Sequence, residues 1–294
     1  MSGVLVVGDV ITDVIVMPEG PMVRGSDRRA TIRSRPGGSG ANQAVWLGSI
    51  GVPVKFVARV AAAELDANIA YFRSRGVEPL LVGDAEAPSG VLISIVDADG
   101  ERSFLTDRGA NLKLCAADLP QSLLDDVQLL MVSGYSFFTA GPRGAVIALL
   151  KAARERNVAT AVDPASVGFL REVGAEAFLK WTQGVGTIFA NLDEALELTG
   201  SVDLNLQMQT LGRFYGRVVI KRGVAGAAIG GRTGVQLSLP APPSDVIDTT
   251  GAGDAFAAAF IASELAGKPV DACLKAGIAA GAEAVTRIGG QPLP

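Results

Sequence analysis

The sequence predicts an α/β fold of three layers, in which a mostly parallel sheet is covered by helices on both faces. Two observations carry this prediction. Short apolar runs alternate with longer segments of helical periodicity along the 294 residues. The composition also suits a large core with many turns, because 49% of the residues are hydrophobic and 36 are glycine. In such a sheet, ligands bind beyond the carboxyl ends of the strands.

Each strand of the sheet is predicted from a short apolar run bounded by turn residues, and each helix from a longer periodic segment. The predicted strands are residues 4–7, 54–58, 79–82, 129–132, 159–162, 187–190, 218–220, 227–229 and 235–239. The predicted helices are residues 40–50, 64–75, 142–156, 204–212, 254–265 and 270–286. The last two helices are rich in alanine, the residue with the strongest helical preference.

Two stretches break the alternation of strands and helices. Residues 12–16 with 29–33, and residues 90–96 with 102–106, lack a helix between their strands. The second pair is joined by the turn Asp-Ala-Asp-Gly at residues 97–100, which is typical of a hairpin. We expect a small antiparallel sheet built from about 12–34 and 88–108, within a single domain of residues 1–294. The alternative is a pair of ordinary surface hairpins.

The charge balance and the lack of histidine exclude several classes of function. Lys and Arg number 26 against 30 Asp and Glu, which gives a net charge of −4. A nucleic-acid partner is therefore not expected, because such partners usually need a basic face. The sequence contains no histidine. This excludes histidine general bases, Ser-His-Asp triads and histidine metal ligands.

Cysteine content and hydropathy indicate the compartment. The two cysteines, Cys115 and Cys273, are too few and too isolated for a disulfide framework or a zinc site. Asp9 and Asp13 interrupt the apolar N-terminal run, and no basic segment precedes it, so a signal peptide is not expected. No apolar run reaches the length of a membrane span. We expect a soluble, cytoplasmic protein with reduced thiols and no membrane partner.

The most informative segment is Asp-Thr-Thr-Gly-Ala-Gly-Asp-Ala-Phe at residues 248–256. Gly251, Ala252 and Gly253 lead directly into a helix-forming stretch, and a helix start offers unpaired N–H groups to an anion such as phosphate. A carboxylate repels phosphate, so Asp254 suggests proton transfer. It would take a proton from a hydroxyl while the three preceding backbone positions form an anion hole for a phosphoryl group. The alternative is an Asp cap on a glycine-rich turn.

This segment resembles one signature of the ribokinase-like (PfkB) family of carbohydrate kinases. A second family signature, Gly-Gly-x-x-x-Asn, is matched by Gly37, Gly38 and Asn42. The resemblance covers nearly the whole chain. It implies a Rossmann-like fold with a lid over the sugar, and ATP-dependent phosphorylation of a hydroxyl of a small sugar or sugar derivative. ATP and Mg²⁺ are the implied cofactors, and some members also use K⁺.

The resemblance implies a set of sugar-binding residues near the first strand. Gly37 and Gly38 would let a sugar lie against bare backbone, and Asn42 both donates to and accepts from hydroxyls. Asp13 stands where the family places a carboxylate that binds sugar hydroxyls. Apart from the resemblance, the place of Arg108 just after the second hairpin would let it meet the carboxylate of a sugar acid. For Gly37, Gly38 and Asn42, the alternative is a turn followed by a helix in which Asn is merely tolerated. For Asp13 and Arg108, the alternative is a solvent-facing charge on the lid surface.

The nucleotide site implied by the resemblance lies in the second half of the chain. Asn191 and Glu194 match the family's Asn-x-x-Glu, which organises Mg²⁺ and phosphate through water. Asn followed by Glu in this spacing is also close to a helix capping box, and both interpretations stay open. Gly223 and Gly226 match the family's nucleotide strand and turn. Lys221 stands where ribokinases commonly show Thr, and as a point charge it would contact the ATP phosphates. No P-loop motif is present, so ATP would not bind on a P-loop.

The resemblance also implies a monovalent-cation site in some members, formed by backbone carbonyls of two loops. The matching positions here are Asp248 and Thr250 in one loop and Ala284, Arg287 and Gly289 in the other. Carbonyl ligands leave little trace in side-chain identity, so the sequence supports K⁺ only weakly. An Asx-turn that orders its own loop is the alternative for Asp248.

The chain departs from ribokinases around the sugar. Ser39 and Ile11 replace a Lys and an Asn that ribokinases usually carry, so ribose specificity does not follow. Sugars, sugar acids, hexoses and nucleosides stay open as substrates. The second functional class to consider is a sugar- or nucleotide-binding regulator on the same scaffold. An intact Asp254 argues against it, because a sensor does not need a base.

The lid also implies a homodimer. Small antiparallel sheets with an exposed face are marginal alone, and several family members pair their lids. We expect Val14, Val16, Ile93 and Ile95 near that interface.

Overall fold

The computed structural model describes residues 3–96 and 102–293, and the strands within them form three sheets. The strands are β1 Gly3–Val7, β2 Ile11–Pro18, β3 Ala30–Gly37, β4 Val54–Val57, β5 Arg59–Ala61, β6 Glu78–Pro79, β7 Val82–Asp84, β8 Gly90–Val96, β9 Arg102–Asp107, β10 Val127–Ser133, β11 Ala159–Asp163, β12 Thr187–Asn191, β13 Arg217–Lys221, β14 Ala227–Gly231 and β15 Gly234–Leu239. The helices are α1 Ser39–Ser49, α2 Leu65–Ser74, α3 Ala140–Glu155, α4 Val167–Val173, α5 Ala175–Thr182, α6 Leu192–Thr199, α7 Leu204–Leu211, α8 Ala252–Leu265 and α9 Val270–Ala284.

The main sheet contains nine strands in the order β15-β14-β13-β12-β11-β10-β1-β4-β6. The pairings from β13 to β6 are parallel, and β14 and β15 are antiparallel additions at one edge. The mostly parallel sheet predicted from the sequence is therefore confirmed. Because parallel strands end at the same edge, residues that follow β1, β11, β12 and β13 are brought together there.

Helices cover both faces of the main sheet and bury two separate apolar cores. Successive residues of β1 point to opposite faces, as in any strand. Val4 belongs to the core that includes Trp46 of α1 and Phe256 of α8. Leu5 belongs to the opposite core, which includes Leu149 of α3. The result is the predicted three layers, and no helix in the described part of the chain is long and apolar enough to cross a membrane.

The sequence pattern located the long helices and α7, and it missed two short ones, α4 and α5, which have seven and eight residues. The start of α6 was considered only as a capping box at Asn191 and Glu194. The predicted strand at 79–82 is also divided in the structure. Residues 78–79 pair with β4 as β6, whereas β7 pairs with β5 in a separate two-stranded sheet.

The small sheet has the order β3-β2-β8-β9 and is a single unit. The two predicted antiparallel pairings, β2 with β3 and β8 with β9, are confirmed. The two hairpins join through a parallel pairing of β2 with β8, which aligns Asp13 with Leu92. The predicted turn at 97–100 lies outside the described residues. Since β2 begins shortly after β1 ends, the small sheet lies beside the carboxyl ends of the main strands.

Candidate active site

A cavity of about 250 Å³ lies where the main sheet, the small sheet and the starts of α1 and α8 meet. Its position beyond the carboxyl ends of the parallel strands is the one expected for this sheet type. The strands β11, β12 and β13 each contribute their last residue to its wall. The charged residues that line it are Asp9, Asp13, Arg108, Asp163, Glu194, Lys221 and Asp254.

Asp254 lies in the first turn of α8, and its side chain is buried. Three side chains at the start of α1 donate to its carboxylate: Ser39 Oγ at 2.7 Å, Asn42 Nδ2 at 3.0 Å and Gln43 Nε2 at 3.0 Å. Residues spaced three and four apart lie on one face of a helix, which is why all three reach the same group. Burial raises the pKa of Asp254 to about 7, and Asp163 adds to the rise.

Close backbone packing sets the loop before Asp254. Gly251 caps α8 with φ of 73°, and a Cβ at this position would overlap Gly290. A Cβ on Gly253 would lie 2.9 Å from the ammonium of Lys221, so this cation lies directly beside the start of the helix. The N–H groups of the first helical turn have no acceptor within the helix. Together with Lys221 they form a site for negative charge.

Lys221 is paired with Asp163 across the ends of β13 and β11, with 2.6 Å between Nζ and Oδ2. Glu194 is buried nearby and accepts from the backbone N–H of Asn191 at 2.8 Å, while Asn191 Oδ1 accepts from the N–H of Glu194 at 2.8 Å. The capping box considered from the sequence is therefore present. Burial raises the pKa of Glu194 to about 7, and the charge of Asp163 acts in the same direction.

Asp9 and Arg108 link the main sheet to the segment that follows the small sheet. The distance from Arg108 Nη2 to Asp9 Oδ2 is 3.3 Å, and the guanidinium lies 4.1 Å from the centre of the Tyr135 ring. Asp9 Oδ1 also accepts from the backbone N–H of Gly40 at 3.1 Å. Arg108 is thus held at the cavity wall by one ion pair and one cation–π contact.

Asp13 reaches the cavity from β2 and is also buried. Burial, with the charges of Asp9 and Asp248, raises its pKa to about 7. Gly38 lines the same cavity, but Gly37 does not. A Cβ on Gly37 would overlap the Asp13 carboxylate, so Gly37 makes room for Asp13 rather than for a ligand.

A second cavity, of about 620 Å³, lies on the other side of the α8 start. Its wall is mainly apolar and includes Ala252 and Phe256 of α8 and the predicted turn glycines Gly223 and Gly226. The two cavities share three residues, Asn191, Lys221 and Gly253. They therefore meet beside the first turn of α8.

The residues expected to hold a monovalent cation line neither cavity, with the exception of Thr250. Asp248 Oδ1 accepts from the N–H of Thr250 at 2.8 Å, which is the Asx-turn, and Oδ2 accepts from the N–H of Gly289 at 3.0 Å. Asp248 therefore joins the two loops. Ala284 ends α9 in the core, and the guanidinium of Arg287 pairs with Glu283.

Comparison with known proteins identifies the family. The model of the pfkB family carbohydrate kinases matches residues 1–294. The chain belongs to this family. The resemblance noted in the two sequence signatures is thereby confirmed.

Several relatives are 26% to 29% identical to this chain over the aligned residues. It is 29% identical over 304 residues to the bifunctional protein HldE of Pseudomonas savastanoi pv. phaseolicola, covering 95% of this chain but 59% of HldE. It is 26% identical over 276 residues to a 5-dehydro-2-deoxygluconokinase of Listeria monocytogenes serotype 4b, covering 90% and 85%. It is 28% identical over 290 residues to a ribokinase of Arabidopsis thaliana, covering 94% and 74%. The chain thus spans less than two thirds of the HldE length.

Solved structures share the pfkB fold at lower identity. The adenosine kinase of Sinorhizobium meliloti matches with a TM-score of 0.87 and 23% identity, covering 100% of this chain and 96% of that one. An E. coli protein in complex with ATP and Mg²⁺ matches with a TM-score of 0.87 and 22% identity, covering 99% and 94%. At this identity the likeness shows the fold alone, and it confirms the fold predicted from the sequence.

Three residues at the smaller cavity were not expected from the sequence. Asp9, Asp163 and Gln43 lie at or directly behind this cavity. Two of them carried a sequence signal, because Asp163 directly follows an apolar strand run and Asp9 follows another after one glycine. The contacts of Gln43 had no sequence signal, since they join helices more than two hundred residues apart in the chain.

We expect the substitution Asp13→Asn to stabilise the protein above pH 7 and to have little effect near pH 4. The folded state keeps the Asp13 proton up to about pH 7, while an unfolded Asp loses it near 3.8. Between these values the folded state binds more protons, so this group lowers the free energy of unfolding as pH rises. A gain of about 1–4 kcal/mol at pH 8 is the scale of a shift of up to about three pKa units.

Urea unfolding of both proteins at pH 4 and pH 8 measures this difference. The matched control is Glu19→Gln, an exposed carboxylate at the end of the same hairpin. An equal effect of Asp13→Asn at both pH values would contradict the shifted pKa.

Proposed function

We propose that this chain transfers the γ-phosphoryl group of ATP to a hydroxyl of a small sugar or sugar derivative, with Asp254 as the general base. One observation carries the proposal. A buried carboxylate with a pKa of about 7 lies where two cavities meet, beside a helix start and a lysine. A base with a pKa near the working pH is efficient, and the helix start suits the transferring phosphoryl group.

In this proposal the two cavities divide the substrates. The sugar occupies the smaller, polar cavity, and ATP occupies the larger one with its phosphates towards Lys221 and Gly253. The substrate hydroxyl gives its proton to Asp254, its oxygen bonds to the γ-phosphorus, and the bond from that phosphorus to the β,γ-bridging oxygen of ATP breaks to release ADP. The backbone of Gly251, Ala252 and Gly253 stabilises the charge on the phosphoryl oxygens.

The sugar is held by Asp13, Gly38, Asn42 and Arg108 in our proposal. Asn42 supports it, because Asn42 lines the cavity and its Oδ1 has no hydrogen-bond partner among the described residues. Arg108 has one nitrogen paired with Asp9 and further N–H groups for substrate oxygens. Ile11 lines the cavity but offers no polar group to a sugar, and the Ser39 hydroxyl donates its hydrogen bond to Asp254. We therefore expect that ribose is not the best substrate.

The donor set also fits Mg²⁺ bound to ATP. Glu194 is a buried carboxylate beside Asn191 at the junction of the cavities, and oxygen ligands through water suit this ion. When bound, Mg²⁺ would neutralise phosphate charge.

We also propose a K⁺ site between the two loops that Asp248 joins, formed by carbonyls near Thr250 and Gly289. A cytoplasmic location, where ATP is available, completes the proposal.

The small sheet acts as a lid and a dimer interface in this proposal. Register places Val14 opposite Ile93, and Ile93 opposite Leu105, on the face away from the Asp13 side. Val16, Ile95 and Ile32 form the neighbouring row of that face. Leu105 and Ile32 are 61% and 62% exposed, so the face offers an apolar patch to a second copy of the chain.

We expect Asp254→Asn to lower kcat by about 10²–10⁴, the range for loss of a general base, with little change in KM for the sugar. ADP release measured across sugars, sugar acids, hexoses and nucleosides identifies the substrate first, and ribose should not be the best of them. Turnover close to that of the parent protein would reject Asp254 as the base. If ribose exceeds every other substrate, the specificity argument is wrong.

We expect Glu194→Gln to raise the Mg²⁺ concentration needed for half-maximal activity several-fold. The amide oxygen keeps the acceptor of the capping box, so this variant separates the charge from the cap. Asp193→Asn is the matched control, because it removes an exposed charge from the same helical turn. An unchanged Mg²⁺ titration would assign Glu194 to capping alone.

We expect a dimeric mass by light scattering at micromolar concentration, and a monomeric mass for Leu105→Asp. The aspartate of this variant would bury a charge in the apolar patch, which opposes dimer formation. Leu206→Asp, on the exposed surface of α7, is the control and should stay dimeric. A monomeric parent protein would contradict the proposed interface.

A further inference from the structure

The start of α1 supplies Asp254 with a closed set of hydrogen bonds. Gln43 Nε2 donates to Asp254 Oδ1 at 3.0 Å and to Ser39 Oγ at 3.2 Å. Ser39 Oγ donates in turn to the same Oδ1 at 2.7 Å. Since Ser39 accepts from Gln43, its own hydrogen is directed to the carboxylate. The three groups form a ring.

The two carboxylate oxygens of Asp254 are therefore not equivalent. Each oxygen of a carboxylate accepts about two hydrogen bonds. Oδ1 accepts from both Ser39 and Gln43, whereas Oδ2 accepts from Asn42 Nδ2 alone. Within the described residues, the remaining acceptor position of this carboxylate lies on Oδ2.

We propose that Gln43, together with Ser39, positions Asp254 so that Oδ2 is the atom that takes the substrate proton. The inference rests on the proposed function, in which Asp254 is the base. Gln43 is 1% exposed and lines neither cavity, so it does not contact the substrate. It is a positioning residue that acts through Asp254.

The cost of burying Gln43 supports a role beyond packing. Its Oε1 is buried with no partner among the described residues, and an unpaired buried carbonyl is unfavourable. Turning the amide over would place Oε1 against the carboxylate, so the donating orientation is the stable one. An apolar side chain of similar length would fill the space without this cost.

Other charged and titratable groups also face Asp254. Asp163 and Lys221 approach it from the ends of β11 and β13, Glu194 from α6, and Tyr135 from the segment after β10. Gln43 donates to Ser39 and to Asp254 and contacts none of these four by a hydrogen bond. A hydrogen bond to the carboxylate favours its charged form, so removing Gln43 raises the pKa of Asp254 directly, through the lost bond.

The test is Gln43→Met, which keeps the length of the side chain and removes both donors. We expect kcat to fall on the order of tenfold, the scale of one hydrogen bond to a charged group, with KM for sugar and ATP changed less than about twofold. The apparent pKa of the acidic limb, the side of the pH profile on which kcat/KM falls as pH decreases, should rise by about 0.5–1 unit.

The matched control is Gln207→Met. Gln207 is also a glutamine of 1% exposure with an unpartnered Oε1, and it donates to the Ser201 carbonyl oxygen far from the site. Its replacement should leave kcat and the acidic limb unchanged. A merely structural role for Gln43 would give both variants the same loss without a shift of the limb, and this result would overturn the inference.

Two further outcomes are decisive. If Gln43→Met does not fold, Ser39→Ala removes the other donor to Oδ1 and must raise the apparent pKa of the same acidic limb. An unchanged pKa overturns the inference.

Asp254→Asn separates the two proposals. If that variant is inactive while the limb of a folded Gln43→Met does not move, positioning by Gln43 is wrong and the base remains. If Asp254→Asn is active, the base assignment and this inference both fail.

Discussion

The burial of carboxylates at the ends of the parallel strands is the constraint on which the rest of the site depends. Asp9, Asp163, Glu194 and Asp254 are all buried within one small region. Two partly buried cations lie among these groups in the described chain, and each is paired with one carboxylate, Arg108 with Asp9 and Lys221 with Asp163. The uncompensated carboxyls must then be stabilised by hydrogen bonds, and their pKa values rise towards neutrality. A group that is costly to bury is thereby suited to exchanging protons.

Tight backbone contacts make this arrangement geometrically feasible. A Cβ on Gly8 would lie 2.6 Å from the Cα of Gly40, so only glycine lets α1 begin this close to the end of β1. This approach brings the N–H of Gly40 to Asp9 and the polar face of α1 to Asp254. Gly251 packs against Gly290 in a similar way at the start of α8. The glycines of the two signatures therefore act mainly by allowing elements to approach each other.

Much of the fold was readable from the sequence, because buried parallel strands are short apolar runs and long helices show their period. The segment of Asp254 and the glycines before it could also be recognised from the sequence, because its residues are contiguous. The contacts that shift the pKa values in the site could not be predicted. Gln43 lies in a helix whose pattern shows only that it is polar, and its partner is far away in sequence. The parallel pairing of β2 with β8 was missed because each hairpin is a complete local pattern, and nothing local shows how two hairpins join.

The hydrogen bonds between α1 and Asp254 span 211 to 215 residues of sequence. Contacts of such separation form late, because the entropy of closing a long loop must be overcome first. A partly folded chain can therefore contain the first strands and α1 before Asp254 reaches them. During refolding, circular dichroism would recover before the site is complete. Formation of the hydrogen bonds from α1 to Asp254 would then mark the end of folding more closely than any measure of helix or strand content.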